Sequence, residues 1–291
     1  MSRAGRCAEL LTAATLVLVV PGLLGAGESR HRLTGVVVAG ASGAPPAIDP
    51  SEATVLLGGI NDTWLSLAAW VPLHAAAGRQ VFGYTYDQRI DDLDTSARWL
   101  AEALTGLNAR GVRHLHVTAY SMGGWVAKAA LDRMTLDGSI AAFESIELTA
   151  LATPWGGFKR ANIAWRLRAL PGRGLARALS RAIGKPMAFE VGSRTPFVRA
   201  RRAALAPQVT FHVFEGGADE IATPRTAEER ENYEAVVALA TDRVSVPGAR
   251  HADMRAPVSV SVPGSARRVP ASPPAPAAAG AALDCLELIG G

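Results

Sequence analysis

The sequence predicts an α/β fold: a mainly parallel sheet with helices on both faces and a basic helical cap insertion. Three observations carry this. Strand-like and helix-like patterns alternate through the middle of the chain, as successive strand–helix–strand crossovers require. A serine among small residues stands where one strand-like run turns into a helical one, in Ala119-Tyr120-Ser121-Met122-Gly123-Gly124. Two chemically matched residues, Asp219 and His251, each follow a later strand-like run, at the strand ends where open α/β sheets build their sites.

The elements follow in order. Residues 27–50 are rich in Gly, Ala, Ser and Pro around one apolar run, 33–39, which reads as an edge strand. Residues 55–58 read as a strand, 64–77 as a helix and 81–86 as a strand. Residues 91–109 read as a helix opened by acids and closed before Gly111, in line with dipole and cap preferences. An alternating run, 114–118, leads through the serine turn into a helical pattern over 125–134. Strands are expected at 145–151, 209–214 and 243–246, with a helix over 228–240 joining the last two.

With 291 residues and an apolar content of 49%, the chain can bury a sizeable core as one domain. That domain is expected over 27–262. Arg3 and Arg6, an apolar run from Leu10 to Val20 and a small-residue exit read as a signal peptide over 1–26. The uncharged stretch 10–26 is 17 residues, at the lower edge for a spanning helix, so a membrane anchor is the alternative. Export to the cell surface, periplasm or medium follows from either. The two cysteines are Cys7 and Cys285, so removal of the segment leaves no intramolecular disulfide. The Pro- and Ala-rich tail, 263–291, has too little patterned apolar surface to join a core and is expected to be disordered.

Residues 156–205 differ in character. Twelve Lys and Arg against the single acid Glu190 give this insertion a charge of +11, against +4 for the whole chain. Trp165, Leu167, Leu170, Leu175, Leu179 and Ile183 recur at roughly helical spacing. A basic amphipathic cap would meet an anionic membrane surface or attract an anionic substrate; a solvated basic face is the plainer reading.

The chemistry lies in the serine turn. In a tight strand-to-helix turn the positions two before and two after the central residue must be nearly free of side chain, a need that Ala119 and Gly123 meet. Such a turn lifts the Ser121 hydroxyl above the sheet and aims the Met122 N–H at the reacting oxygen. Ser121, Asp219 and His251 follow one another in the order nucleophile, acid, histidine. Asp219 is preferred to its neighbours Glu215 and Glu220 because the strand ends before it.

On these residues the chain resembles the α/β-hydrolases, and among them lipases and esterases with an Ala-x-Ser-x-Gly elbow. Thr54-Val55-Leu56-Leu57-Gly58-Gly59-Ile60 is similar to their first strand and oxyanion loop, with Gly58 where histidine is common. Thr153-Pro154-Trp155-Gly156-Gly157 is similar to a Thr-Pro-His-Gly-Gly stretch, with Trp155 for the histidine. Glu190-Val191-Gly192-Ser193-Arg194-Thr195-Pro196-Phe197 resembles the segment that follows their cap. Asp219-Glu220-Ile221-Ala222-Thr223-Pro224 and His251-Ala252-Asp253-Met254 resemble the acid and histidine loops.

The resemblance implies a serine ester hydrolase working through an acyl-enzyme on Ser121, with His251 as base and Asp219 orienting it. It implies an oxyanion hole from the N–H groups of Met122 and Ile60, and places Gly59 and Trp155 at the substrate. An acyltransferase with the same three residues, or a non-catalytic lipid- or partner-binding protein of this fold, are the alternatives. The expected partner is an ester, small or lipid; nothing points to nucleic acid, and oligomeric state is left open. No phosphate-binding or dinucleotide loop occurs, so no organic cofactor is implied. His114 and His116 share a strand face, but no Cys or acid stands at ligand spacing, so packing is expected rather than a metal site. Asn61-Asp62-Thr63 matches a glycosylation acceptor, yet a glycan in the oxyanion loop would block the site.

Overall fold

The computed structural model describes residues 17–20, 31–38, 47–60, 62–87, 92–157 and 190–257. The expected targeting segment apart from Val17–Val20, the glycosylation candidate Asn61, the body of the basic insertion (158–189) and the tail from 263 lie outside the described residues.

Eight strands form one sheet: β1 (Val17–Val20), β2 (Arg32–Val38), β3 (Asp49–Leu57), β4 (Arg79–Thr85), β5 (His114–Tyr120), β6 (Ser145–Leu151), β7 (Val209–Gly216) and β8 (Asp242–Val246). Their spatial order is β1-β2-β4-β3-β5-β6-β7-β8. The first two pairings, β1 with β2 and β2 with β4, are antiparallel; the rest are parallel. The run read as the apolar part of a targeting segment thus ends in an edge strand, Val17–Val20, paired with β2. Among the described residues no helix is long and apolar enough to cross a membrane.

The sheet is buried from both sides, as parallel strands covered by crossover helices must be. On one face Val55, Leu57, Val117, Ala119, Leu148, Ala150 and Phe211 share a core with Leu100, Leu104, Trp125 and Val126. On the other, Leu56, Val81, Tyr120 and Phe214 pack with Trp64, Leu67 and Val71. The helices start where local chemistry lets them. Helix α2 (Leu93–Ala109) begins at Asp92, whose carboxylate accepts from the Thr95 N–H at 2.7 Å. Its buried residues Leu93, Ala97, Leu100 and Leu104 repeat at helical spacing. Helix α4 (Ala227–Val237) opens with a reciprocal cap between Thr226 and Glu229.

One element differs from expectation. Residues 64–77 are not a single helix: Trp64–Trp70 is a 3₁₀ stretch, and the α-helix α1 covers only Val71–Ala76. Leu67 leaves helical geometry at φ −106°, ψ 16°, and Pro72, which has no N–H to donate, sits in the first turn of the restarted helix.

The second face also carries a row of charged side chains. His116 lies between two carboxylates, with Nδ1 3.1 Å from Glu147 Oε2 and Nε2 3.1 Å from Glu52 Oε2. Arg79 Nε is 3.8 Å from the same Glu52 oxygen, and His212 Nδ1 is 3.1 Å from Asp242 Oδ2. The acids absent from the sequence neighbourhood of His116 therefore arrive from β3 and β6, the strands on either side of it. Even so, among the described residues no group of three or more His, Cys, Asp or Glu side chains is arranged to hold a metal ion. Burial pushes the Glu147 carboxyl up, but the hydrogen bond with His116 and the His116, His212 and Arg79 charges outweigh it and hold it down to about 2. Burial lowers the His116 imidazole, yet its bonds to Glu147 and Glu52 raise it above its ordinary value of 6.5.

A histidine whose folded pKa is raised stabilises the protein below its unfolded pKa and loses that contribution as pH rises through the folded value. Glu147, held down to about 2 from 4.5, stays ionised across that window. His116→Gln is therefore expected to cost about 2 kcal/mol near pH 6, the scale of hydrogen bonds to charged groups, and clearly less at pH 9. Thermal unfolding of both proteins at the two pH values checks this; an equal gap at both would show that the imidazolium is not the stabilising form.

Candidate active site

Strand β5 feeds directly into helix α3 (Met122–Asp137), and Ser121 is the residue between them. Its backbone sits at φ 52°, ψ −121°, one of two described non-glycine residues with positive φ. Such a conformation costs on the order of 1–3 kcal/mol and persists only where its surroundings hold it. Here the Ser121 N–H donates to the Leu151 carbonyl of β6 at 2.8 Å.

The surroundings are close. A Cβ at Gly123 would lie 2.6 Å from the Gly58 carbonyl oxygen and 2.9 Å from that of Leu57. A Cβ at Gly59 would lie 2.9 Å from Ser121 Cβ. The exit of β3 thus presses its backbone onto the elbow, which admits no larger residue at either point. Tyr86 fixes that exit from below, its hydroxyl donating to the Gly58 carbonyl at 2.8 Å. Ile60 follows in the turn closed by the Asp62 N–H to the Gly59 carbonyl at 3.1 Å. Met122 opens α3, and the first N–H groups of a helix have no acceptor within it.

Asp219 and His251 reach Ser121 from the ends of β7 and β8. Their loops are stitched together: the Gly217 N–H donates to the Val246 carbonyl at 2.8 Å and the Ala218 N–H to the Ala249 carbonyl at 3.0 Å. Asp219 Oδ1 accepts the N–H groups of Ile221 and Ala222 at 2.8 and 2.7 Å. His251 Nδ1 lies 2.9 Å from Asp219 Oδ2 and 3.1 Å from Oδ1, and His251 Nε2 lies 2.9 Å from Ser121 Oγ. All three residues are buried. Burial pushes the Asp219 carboxyl up, but the bonds from His251 and from the two backbone N–H groups prevail and keep it below its ordinary value. An ionised carboxylate only accepts, so Nδ1 carries the imidazole proton and the Nε2 lone pair faces the serine hydroxyl. Glu215 is engaged elsewhere, paired with Arg243, and Glu220 is exposed.

Trp155, expected at the substrate, is corrected. It is fully buried, edge-on to Trp125 with ring centroids 5.0 Å apart and to Phe211 at 5.7 Å. Behind β6 and under the elbow helix it is a core residue, and its bulk fills space between sheet and helix. Gly59 does stand against Ser121.

Two neighbours of the site escaped sequence reasoning. The Tyr120 hydroxyl donates to the His251 carbonyl at 3.1 Å, and its ring lies 5.1 Å from the imidazole. Arg255 stacks on the other side of this environment, its guanidinium 5.0 Å from the Tyr120 ring centre. The only sequence signal for Tyr120 was its place on the β5 face opposite Val117 and Ala119.

The arrangement can be compared with known proteins. The family described as "Alpha/beta hydrolase of unknown function (DUF900)" matches residues 52–155, from β3 through the elbow to Trp155. Among solved structures, an esterase from Pyrococcus furiosus is 14% identical, with 83% of this chain and 85% of that one covered and a TM-score of 0.51. This chain has the α/β-hydrolase fold. A monoacylglycerol lipase from Paleococcus ferrophilus is 11% identical over 72% of this chain and 89% of its own, with a TM-score of 0.51. Lipase B from Aspergillus fumigatus is 14% identical over 75% and 54%, with a TM-score of 0.53. No curated protein matches the chain in sequence. The mainly parallel sheet with helices on both faces is the architecture that the sequence predicts.

The close approach at the elbow has a measurable cost. Gly123→Ala should destabilise by about 1–3 kcal/mol through overpacking, because the obstructing atoms are backbone oxygens that cannot swing aside. Gly106→Ala, in α2 with nothing within 4 Å of the added carbon, should instead stabilise by roughly 0.5–1 kcal/mol. Denaturant unfolding of the two variants reads both signs; a tolerated Gly123→Ala would mean the β3 exit is not held against α3.

Proposed function

We propose that the chain is a serine ester hydrolase, of the lipase or carboxylesterase kind, acting through an acyl-enzyme on Ser121. The observation that carries the reading is the unbroken contact from Asp219 through His251 to Ser121, built on a strained elbow in an α/β-hydrolase fold.

In this reading Ser121 Oγ attacks the ester carbonyl while its proton passes to His251 Nε2. The carbonyl becomes an oxyanion held by the N–H groups of Met122 and Ile60. The ester C–O bond breaks as His251 returns the proton to the departing alcohol. A water then attacks the acyl-enzyme, giving its proton to His251; the acid leaves and the Ser121 O–H is restored. Asp219 stays ionised throughout, holding the imidazole in one tautomer and stabilising its charged form. The likeness to esterases and lipases agrees with this chemistry and leaves acyl length and leaving alcohol to be measured. The non-catalytic alternative points to Gly58 and Trp155, where the chain departs from the resemblance; Trp155 is a fully buried core residue, and with Gly58 in the loop the contacts of Ser121, His251 and Asp219 are all present.

Nitrophenyl esters of rising acyl length, with and without detergent, are the substrates to test. The wild type should hydrolyse some of them and bind a fluorophosphonate covalently at Ser121. Ser121→Ala should lose about 10⁴-fold or more in kcat, with an unchanged unfolding midpoint. A folded wild type that neither labels nor turns over any ester sinks the reading. Asp219→Asn is expected to lose about 10³–10⁴-fold, and adding it to His251→Ala should change little, since the residues act as one unit. Near-full activity of Asp219→Asn would reassign the acid.

A further inference from the structure

Three chain segments build the reaction centre: the loop after β3 with Gly59 and Ile60, the end of β5 with Tyr120 and Ser121, and the loop after β8 with His251. They come from distant parts of the sequence, and the loops after β3 and β8 run beyond the last paired residues of those strands, Leu57 and Val246. One side chain of the third segment touches the other two. Arg255 closes the short 3₁₀ turn Ala252–Arg255 that begins next to His251. Its guanidinium reaches Asp62 of the first loop, Nη2 to Oδ2 3.1 Å, and covers the Tyr120 ring at 5.0 Å. Its own backbone is pinned as well, the Arg255 carbonyl accepting from Trp70 Nε1 at 2.8 Å.

We propose that Arg255 is a positioning residue that locks the oxyanion-side loop to the histidine loop across Tyr120, so that the N–H of Ile60 and the imidazole of His251 keep one fixed relation to Ser121. The proposal rests on the reading of Ser121 as the nucleophile, and adds to it a residue that touches neither substrate nor the reacting atoms. The path is short in both directions. Asp62 donates its N–H to the Gly59 carbonyl, so the residue Arg255 grips is the closing member of the turn that presents Ile60. On the other side Tyr120 donates its hydroxyl to the His251 carbonyl, and Met254, fully buried beside Arg255, seats the same turn in the second core. Tyr120 is itself buried and continuous with Ser121. A contact that holds the hole and the base, yet sits on the far side of both, acts on geometry: it should affect how well the transition state is held more than how well substrate binds.

The test combines kinetics with a readout that needs no activity. Arg255→Met keeps the length and the apolar contact with Tyr120 and removes the charge; Asp62→Asn removes the other half of the pair. Each is expected to lower kcat for nitrophenyl butyrate by about 10- to 100-fold, the scale of a small misplacement of a catalytic group, with KM changed by less than about twofold. The double variant should be no worse than either single one, as for residues acting as one unit, and Arg255→Lys should recover part of the loss. Amide hydrogen exchange, followed by mass spectrometry on the same proteins, should speed up together over residues 59–62 and 251–255 in Arg255→Met, by about tenfold for loss of one charge-assisted contact, with β5 and α3 unchanged. Unchanged kcat in the well-folded Arg255→Met, a rise in KM alone, or faster exchange in only one of the two loops would overturn the lock. Should the wild type hydrolyse no ester, the proposed function fails, and the paired exchange result still decides whether the two loops are coupled.

Discussion

The reaction centre depends on how closely two backbones meet. Where β3 ends, the carbonyl oxygens of Leu57 and Gly58 face the start of α3 with no room for a Cβ at Gly123. That approach brings Gly59 against the Ser121 side chain and leaves the serine no escape from its positive φ. A strained residue relaxes unless its neighbours forbid it. Here the neighbours are main-chain atoms of a central strand, paired on both sides by β4 and β5, so the restraint is as stiff as the sheet itself. The loops carrying Asp219 and His251 have only to reach a hydroxyl whose position is already set.

That reach is achieved with backbone hydrogen bonds more than with packing. The loops after β7 and β8 bond to one another at Gly217 and Ala218, and the Asp219 carboxylate accepts two N–H groups of its own loop before it meets the imidazole. A carboxylate so held cannot rotate to satisfy a different partner. The acid therefore imposes a tautomer on His251 instead of adjusting to whichever one the ring adopts.

Much of this was legible in the sequence, for identifiable reasons. The alternation of apolar and polar residues in β5 and the small residues on each side of Ser121 are local consequences of a strand and a tight turn, and both write themselves into a few adjacent positions. The acids Asp91, Asp92 and Asp94 marked the start of α2 in the same local way. What could not be read locally was whatever depends on neighbours across the sheet. Trp155 looks like a substitution at a site residue until β7 supplies Phe211 beside it. His116 looks solitary until β3 and β6 bring Glu52 and Glu147 to it. Arg255 and Asp62 are 193 positions apart, and their residue types alone give no hint that they meet. Pro72 is plain in the sequence, but a helical hydrophobic pattern continues through it, and the missing N–H favours a helix that begins again there.

The charged row on the second face bears on how the strands find their pairing. Parallel strands buried on both faces are nearly uniform in hydrophobicity, and a slip of two residues, about 6–7 Å along the strand, returns every side chain to its proper face. Apolar burial therefore penalises such a slip only weakly. In this sheet the slip is not neutral. Moving β6 against β5 by two residues separates Glu147 from His116, which the native pairing sets side by side; moving β8 against β7 does the same to Asp242 and His212. Each misalignment parts a partly buried carboxylate from the histidine it faces, a loss that the apolar surface alone does not register. The histidines and acids thus act as a key between strands that would otherwise fit one another in more than one alignment.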